Sequence, residues 1–144
     1  MMKRIQALAA AAAMSLASSV WADVAVIVNV KNQNTYTGVE QDLIQRIYLG
    51  KASQFPDGSK ATPYDLGKGD ASRQLFVQEV IGKTPSQLHA YWSRRIFSGK
   101  QQPPRTVDNA EAMKAAVAAD ESAIGYIKST AVDASVAVLF TIED

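Results

Sequence analysis

The residues of this chain that are best suited to chemistry lie together in the stretch YDLGKGDASRQLF, residues 64–76. It places two glycines, Lys68, Asp70 and Ser72 directly before the apolar pattern of a helix. Backbone amides at a helix start can hold a phosphate or a carboxylate, and glycines let a ligand approach the main chain closely. The same residue types also form ordinary turns. The stretch therefore has two interpretations, an anion-binding loop or a loop that caps a helix.

The candidate anion site consists of six consecutive residues: Lys68, Gly69, Asp70, Ala71, Ser72 and Arg73. An oxyanion would be held by the amides of residues 71–73, by the Ser72 hydroxyl, and by the charge of Lys68 or Arg73. In the other interpretation Asp70 is the N-cap, and its carboxylate occupies those amides itself. A helix terminus contributes about 0.3–1 kcal/mol toward an exposed charge, whereas a millimolar site needs about 4 kcal/mol. An anion site here therefore requires contacts beyond the helix terminus.

No pattern in the sequence is typical of a catalytic centre. His89 lies at helical spacing from Ser93, but no carboxylate is placed to orient its ring. The chain has no cysteine and one histidine, so thiol catalysis, thiolate metal sites and histidine-rich metal sites are excluded. We therefore expect a non-enzymatic protein with no metal and no cofactor.

Two further clusters each have a functional and an ordinary interpretation. Basic residues around the end of the third predicted helix either rim an anion site or complement the helix dipole, and we favour the dipole; they are Arg94, Arg95, Lys100 and Arg105. Aromatic residues of the same helix form either a binding patch or part of the core, and their helical spacing favours the core; they are Tyr91, Trp92 and Phe97.

The first 22 residues have the pattern of a secretory signal peptide. Lys3 and Arg4 form a basic head, an alanine- and leucine-rich stretch follows, and Ala22 is the small residue that a signal peptidase needs. The apolar stretch is too short for a convincing membrane span. We expect cleavage of residues 1–22, export to the periplasm, and one domain over residues 23–144.

Removal of the signal peptide leaves a nearly neutral chain. Of 144 residues, 144 − 22 = 122 remain, enough for one hydrophobic core. The 15 basic side chains fall to 13 with the loss of Lys3 and Arg4, against 14 acidic ones. The resulting net charge of −1 gives no reason to expect nucleic acid or an acidic membrane as a partner.

Hydrophobic periodicity predicts an alternation of strands and helices. DVAVIVNV, residues 23–30, is an uninterrupted apolar run and predicts a buried strand. Further strands are predicted at about residues 61–66, 122–127 and 135–142, and QQPPRTV, residues 101–107, reads as an extended linker or loop. Helices are predicted at about residues 37–50, 71–81, 84–99 and 108–119. This order is typical of an α/β fold with a mixed sheet flanked by helices.

Capping boxes give the predicted helix starts. The pairs are Thr37 with Glu40, Thr84 with Gln87, and Asp108 with Glu111. Glycines mark the predicted ends, at Gly50, Gly82 and Gly99. In the helix after Thr84, a stripe of four residues is expected to face the core: Leu88, Tyr91, Trp92 and Ile96.

Several segments occur in one order along residues 24–142: IQRIYLGKASQFPDGSKATPYD, DASRQLF, YWSRRIFSGK with PPR, and AIGYI. Taken together they resemble the substrate-binding proteins of ABC phosphate transporters. The resemblance implies a type 2 periplasmic-binding-protein-like fold. Members of that family are two-lobed clamps, and this chain has roughly the length of a single lobe. It is similar to small single-lobe relatives of these receptors.

The family holds phosphate with an Asp-Gly-Ser-Gly-Thr run after an arginine. In this chain Gly69 and Ser72 match the first glycine and the threonine, whereas Asp70, Ala71 and Leu66 stand at the serine, second glycine and arginine positions. Lys68 and Arg73 offer positive charge in place of the arginine. The resemblance implies an oxyanion site at residues 68–73.

The resemblance implies an exported solute-binding protein for phosphate or another small oxyanion. Its partners would be an ABC transporter membrane component, or a second lobe supplied in trans, with a homo-oligomer as a further possibility. The alternative is an interaction module that kept the lobe fold, binds no ligand, and uses its exposed cleft face to dock a protein.

Overall fold

The computed structural model describes residues 23–99 and 101–143, so the predicted signal peptide lies outside the described residues. The strands are β1 (Val24–Val28), β2 (Thr62–Leu66), β3 (Arg105–Val107), β4 (Ala123–Lys128) and β5 (Ala137–Ile142). The α-helices are α1 (Gln41–Tyr48), α2 (Ala71–Phe76), α3 (Pro85–Phe97) and α4 (Ala110–Ala119). A π-helical turn, Val77–Ile81, continues α2, and short 3-10 turns lie at Gln33–Thr35 and Ser129–Ala131.

The five strands form one mixed sheet in the order β3-β2-β4-β1-β5. Strand β2 is parallel to β3 and β4, whereas β1 is antiparallel to both of its neighbours, β4 and β5. All five residues of β1 are buried, because the strand has a partner on each side and helices cover the sheet. This burial on both faces explains the uninterrupted apolar run in the sequence.

Helices cover both faces of the sheet, as two adjacent residues of β4 demonstrate. The ring of Tyr126 stacks on Phe76 of α2, with centroids 4.0 Å apart. A Cβ added at Gly125 would meet Met113 and Val117 of α4. Because successive residues of a strand point to opposite faces, α2 and α4 lie on opposite sides of the sheet. The predicted α/β fold, a mixed sheet flanked by helices, is therefore confirmed.

The predicted start of α3 and the predicted end of the helical stretch at Gly82 are both confirmed. Thr84 and Gln87 form both hydrogen bonds of the capping box at the start of α3. Gly82 adopts the left-handed conformation, with φ +72°, and ends the helical stretch of residues 71–81. None of the helices among residues 23–99 and 101–143 combines the length and apolar character that a membrane span needs.

Two predicted caps were wrong. Helix α1 begins at Gln41, after Glu40, instead of at Thr37, because Gly38 has φ +80° and turns the chain before the helix starts. At α4 the cap is Asn109 instead of Asp108, since the Asn109 side chain accepts the amide of Ala112 at 2.9 Å.

The segment predicted as a linker contains strand β3. Its residues Arg105–Val107 pair in parallel with Tyr64–Leu66 of β2. The prediction of extended backbone was correct, but the pairing partner is about forty residues away in sequence. A segment of three residues is too short to show a hydrophobic period, so its pairing with β2 could not be predicted.

The predicted apolar stripe of α3 holds only in its first turns. Leu88 and Trp92 are buried and Tyr91 is half-buried, but Ile96 is 45% exposed. Phe97, expected in the core, is 95% exposed. The last turn of α3 therefore extends beyond the core, and helical spacing alone does not reveal where that coverage ends.

Gly125→Ala tests the packing of α4 on the sheet. The added Cβ would lie 2.5 Å from the sulfur of Met113, which is fully buried, and 3.3 Å from Cγ2 of Val117. We expect a loss of about 1–3 kcal/mol in the free energy of unfolding, measured by urea denaturation. Gly67→Ala is the matched control, because its Cβ would meet no atom within 4 Å. A loss at Gly125 no larger than at Gly67 would contradict this packing.

Candidate functional site

The parallel strands β2, β3 and β4 end at the same edge of the sheet, and a cavity of about 490 Å³ lies there. Its lining comes from the end of β2, the start of α2, the start of α4, and the end of β4 with the turn that follows. The lining residues are Leu66, Asp70, Ala71, Ser72, Asn109, Ala110, Glu111, Lys128 and Ala131. Open α/β sheets bind their ligands at this carboxyl edge. We call this cavity the carboxyl-edge cavity.

Three of the six predicted site residues line the carboxyl-edge cavity, and Lys68, Gly69 and Arg73 do not. Asp70, Ala71 and Ser72 line the carboxyl-edge cavity. Lys68 and Gly69 are exposed in the preceding turn and do not line it. Gly69 has φ +89°, a backbone conformation that a side chain would strain, so this glycine shapes the turn.

Asp70 is the N-cap of α2. Its Oδ1 accepts the amide of Ser72 at 2.8 Å, so the capping interpretation of the loop is correct. The carboxylate thus stands at the amide group that an oxyanion would use, and its charge would repel an anion there. Ser72 lines the cavity, and its hydroxyl is a donor that this cap does not use.

Arg73 does not line the cavity and forms a mostly buried ion pair. Its Nε lies 3.5 Å from Oδ2 of Asp65, and the two side chains are only 15% and 16% exposed. The charge of Arg73 is therefore offset by a carboxylate at the end of β2. The prediction that Arg73 supplies free positive charge to an anion is not supported by this contact.

Asp65 also accepts a hydrogen bond from the hydroxyl of Tyr126, which donates to its Oδ1. The same hydroxyl accepts the amide of Leu66 at 3.2 Å. Burial, reinforced by the charge of Asp65, raises the pKa of Tyr126 far above its ordinary value, so the hydroxyl stays protonated. Tyr126 thereby fixes the end of β2, from which the loop of residues 67–70 departs.

An aromatic cluster of Tyr48, Phe76 and Tyr126 packs around the ring whose hydroxyl bonds to Asp65. Phe76 contacts the ring of Tyr48 edge to face, with centroids 4.7 Å apart, in addition to its stacking on Tyr126. The Tyr48 hydroxyl donates to the carbonyl of Tyr64 at 2.8 Å, with the carbonyl of Ile124 at 3.1 Å as a second acceptor. Three rings thus join α1, α2 and β4 beneath the candidate site.

The remaining charges of the carboxyl-edge cavity are Lys128 and Glu111. Lys128 is exposed at the end of β4 and has no ion-pair partner among residues 23–99 and 101–143. Glu111 pairs with Lys114 at 3.0 Å, and Lys114 also pairs with Asp133 at 2.9 Å. Lys128 and Asn109 were not predicted as site residues; the AIGYI segment, which directly precedes Lys128, was the available signal.

The other candidates do not form a site together. His89 and Ser93 are both exposed on α3. Nη2 of Arg95 donates to Gln101 at 2.7 Å, while Lys100 lies outside the described residues. Arg105 lines a different cavity. Within the described part of the chain, no group of three or more His, Cys, Asp or Glu residues is placed to hold a metal ion.

The fold resembles solved phosphate receptors. A phosphate ABC transporter substrate-binding protein from Clostridium perfringens, with bound phosphate, has a TM-score of 0.62 and 23% identity over 84% of this chain. An ABC-type phosphate transport receptor from Vibrio cholerae has a TM-score of 0.61 and 20% identity over 83%. PstS from Borrelia burgdorferi has a TM-score of 0.57 and 14% identity over 82%.

This chain spans 46%, 46% and 47% of those three proteins, slightly less than half of each. No protein-family model and no curated protein matches the chain. At these sequence identities the likeness shows the fold alone. It confirms the predicted resemblance to phosphate-receptor substrate-binding proteins and their periplasmic-binding-protein-like fold.

Tyr126→Phe tests whether the hydroxyl fixes the end of β2. The change removes both hydrogen bonds of the hydroxyl, while the Leu66 amide keeps Oδ1 of Asp65 at 2.9 Å and Asp65 keeps Arg73. We expect a loss of about 1–3 kcal/mol in the free energy of unfolding. Tyr36→Phe is the control, because Tyr36 is 86% exposed and its change should stay within about 0.5 kcal/mol. Equal effects of the two substitutions in urea denaturation would refute the assigned role.

Proposed function

We propose that this chain is an exported, non-enzymatic solute-binding protein that takes phosphate or another small oxyanion at the carboxyl-edge cavity. One observation carries the proposal: in a receptor-like fold, Ser72 and Lys128 line one cavity at the carboxyl ends of β2 and β4, and Lys128 has no ion-pair partner among residues 23–99 and 101–143. A hydroxyl donor and a cation are the groups that an oxyanion requires. The named neighbours are binding proteins, which supports a non-enzymatic role.

The oxyanion site differs from the one expected from the sequence. Lys128 takes the part expected of Lys68 or Arg73, while Asp70 and Glu111 bring negative charge to the same lining. Because Glu111 is paired with Lys114, the main opposing charge is Asp70. Affinity for a dianion should therefore be modest, in the micromolar to millimolar range, and should fall with added salt.

A second function is favoured by two contacts. The Asp70 carboxylate already accepts the hydrogen bond of the Ser72 amide, and the Asp65 carboxylate already pairs with the Arg73 guanidinium. Both contacts suit a lobe that has kept its fold and lost its ligand, with the open edge serving as a docking face for a protein partner. The two functions differ in whether phosphate binds at all.

Calorimetric titration with phosphate, sulfate and arsenate separates the two functions. We expect saturable phosphate binding that weakens about tenfold in Ser72→Ala and in Lys128→Gln, since each loses one hydrogen bond to a charged ligand. Ser93→Ala and Lys51→Gln are matched controls, because both residues are exposed and neither lines the cavity. No heat at millimolar ligand, from protein shown by circular dichroism to be folded, would refute oxyanion binding.

Asp70→Asn tests the electrostatic effect of the cap. Asparagine caps a helix about as well as aspartate, so the helix start should be kept while the negative charge is removed. Oxyanion binding should become about fivefold to tenfold tighter, with little change in stability. Affinity that is unchanged or weaker would place the ligand away from Asp70. In the ligand-free alternative, neither form binds phosphate.

The partners follow from the same proposal. A receptor of this kind delivers its ligand to the membrane component of an ABC transporter, and export by the predicted signal peptide, residues 1–22, would place it in the periplasm. Enclosure of the ligand, as in a two-lobed clamp, would come from a second lobe in trans or a second copy of the chain. Analytical ultracentrifugation with and without phosphate measures such self-association.

A further inference from the structure

A larger cavity, of about 780 Å³, lies at the opposite edge of the sheet. Its lining includes Thr62 at the start of β2, Arg105 at the start of β3, and Asp120 and Ser122 just before β4. These positions lie at the amino ends of β2, β3 and β4, the parallel strands whose carboxyl ends face the carboxyl-edge cavity. We call it the amino-edge cavity.

One wall of the amino-edge cavity is apolar. Ile47 of α1, Trp92 of α3 and Pro104 of the segment before β3 contribute to it. The indole is held edge to face against Tyr91, with centroids 5.4 Å apart. Tyr91 is in turn anchored by its hydroxyl, which donates to the carbonyl of Leu49 at 2.5 Å. The indole wall is therefore fixed in position before any ligand enters.

The opposite wall is polar, and its carboxylate, Asp120, already accepts hydrogen bonds from other residues of the protein. Oδ1 of Asp120 accepts the amide and the hydroxyl of Ser122 at 2.9 and 2.6 Å, and Oδ2 accepts the hydroxyl of Tyr64 at 3.0 Å. Hydrogen bonding from Ser122, with smaller contributions from Tyr64 and the charge of Lys60, lowers the pKa of Asp120. The carboxylate thus stays ionised and has little remaining capacity to accept from a ligand.

The cationic groups of the lining are not committed in this way. Lys60 and Arg105 are exposed, and neither forms an ion pair within residues 23–99 and 101–143. Asp120 is the only carboxylate among the described lining residues. Two cations against one satisfied carboxylate leave a net positive charge, and the Arg105 guanidinium can hold a carboxylate through two parallel hydrogen bonds.

We propose that the amino-edge cavity binds a small organic carboxylate with an aromatic body. The carboxylate lies between Arg105 and Lys60, and the ring packs against Trp92. The volume falls within the range of about 300–1,000 Å³ usual for small-molecule pockets. Trp92 is 8% exposed, so the ring would meet the edge of the indole that borders the cavity, together with Ile47 and Pro104.

Benzoate and its neutral isostere benzamide test the proposal. Trp92 is the one tryptophan of residues 23–144, the chain expected after cleavage of residues 1–22, so it is the fluorescent reporter. Titration with benzoate should change the indole fluorescence in a saturable way, with calorimetry as a second readout. Binding should weaken about tenfold in Arg105→Gln and in Lys60→Gln. Arg94→Gln is the matched control, since Arg94 is exposed and lies outside the lining.

The outcomes distinguish this site from the oxyanion site. Lys128→Gln should leave benzoate binding unchanged, and Arg105→Gln should leave phosphate binding unchanged, so either site can fail independently. Benzamide should bind at least fivefold more weakly than benzoate because it carries no charge. Three results would each overturn the proposal: no saturation at millimolar benzoate, equal binding of benzamide, or unchanged binding in both charge variants.

Discussion

The hydroxyl of Tyr126 is the contact on which the carboxyl edge of this protein depends. It donates to Asp65 and accepts the amide of Leu66, so it fixes the last two residues of β2. Its ring stacks on Phe76 and so holds α2 against the same strand end. Asp65 then pairs with Arg73 in the first turns of α2. The loop between strand and helix has little freedom, because both of its ends are held by one side chain and its neighbours.

This constraint also explains why the predicted anion loop is altered. Burying Asp65 beside Tyr126 requires a compensating cation, because an unpaired carboxylate at that depth is costly. Arg73 is that cation, and because it is paired with Asp65 its charge is not available to a ligand in the cavity. Asp70 caps the helix start and takes the amide of Ser72. The positive charge at the candidate site therefore comes from Lys128, which reaches it from another strand.

Several features were readable from residues that are close in sequence. An unbroken apolar run predicted the strand at residues 24–28, and the capping box of Thr84 and Gln87 predicted the start of α3. Asp70 was recognised as a possible cap because its hydrogen bond spans two residues. By contrast, β3 could not be predicted, since its partner β2 is distant in sequence. The exposure of Phe97 was missed because the period of a helix does not state how far the core extends.

The sequence by itself determined the α/β alternation, the helix starts given by local caps, and the resemblance to phosphate receptors. These depend on periodicity and on hydrogen bonds between near neighbours, which short stretches encode. Only the tertiary structure decided that Arg73 is paired with Asp65, that Lys128 joins Ser72 at one edge, and that Arg105 and Trp92 share a cavity at the other. Those relations arise from the order of strands in the sheet, which brings together residues far apart in the chain.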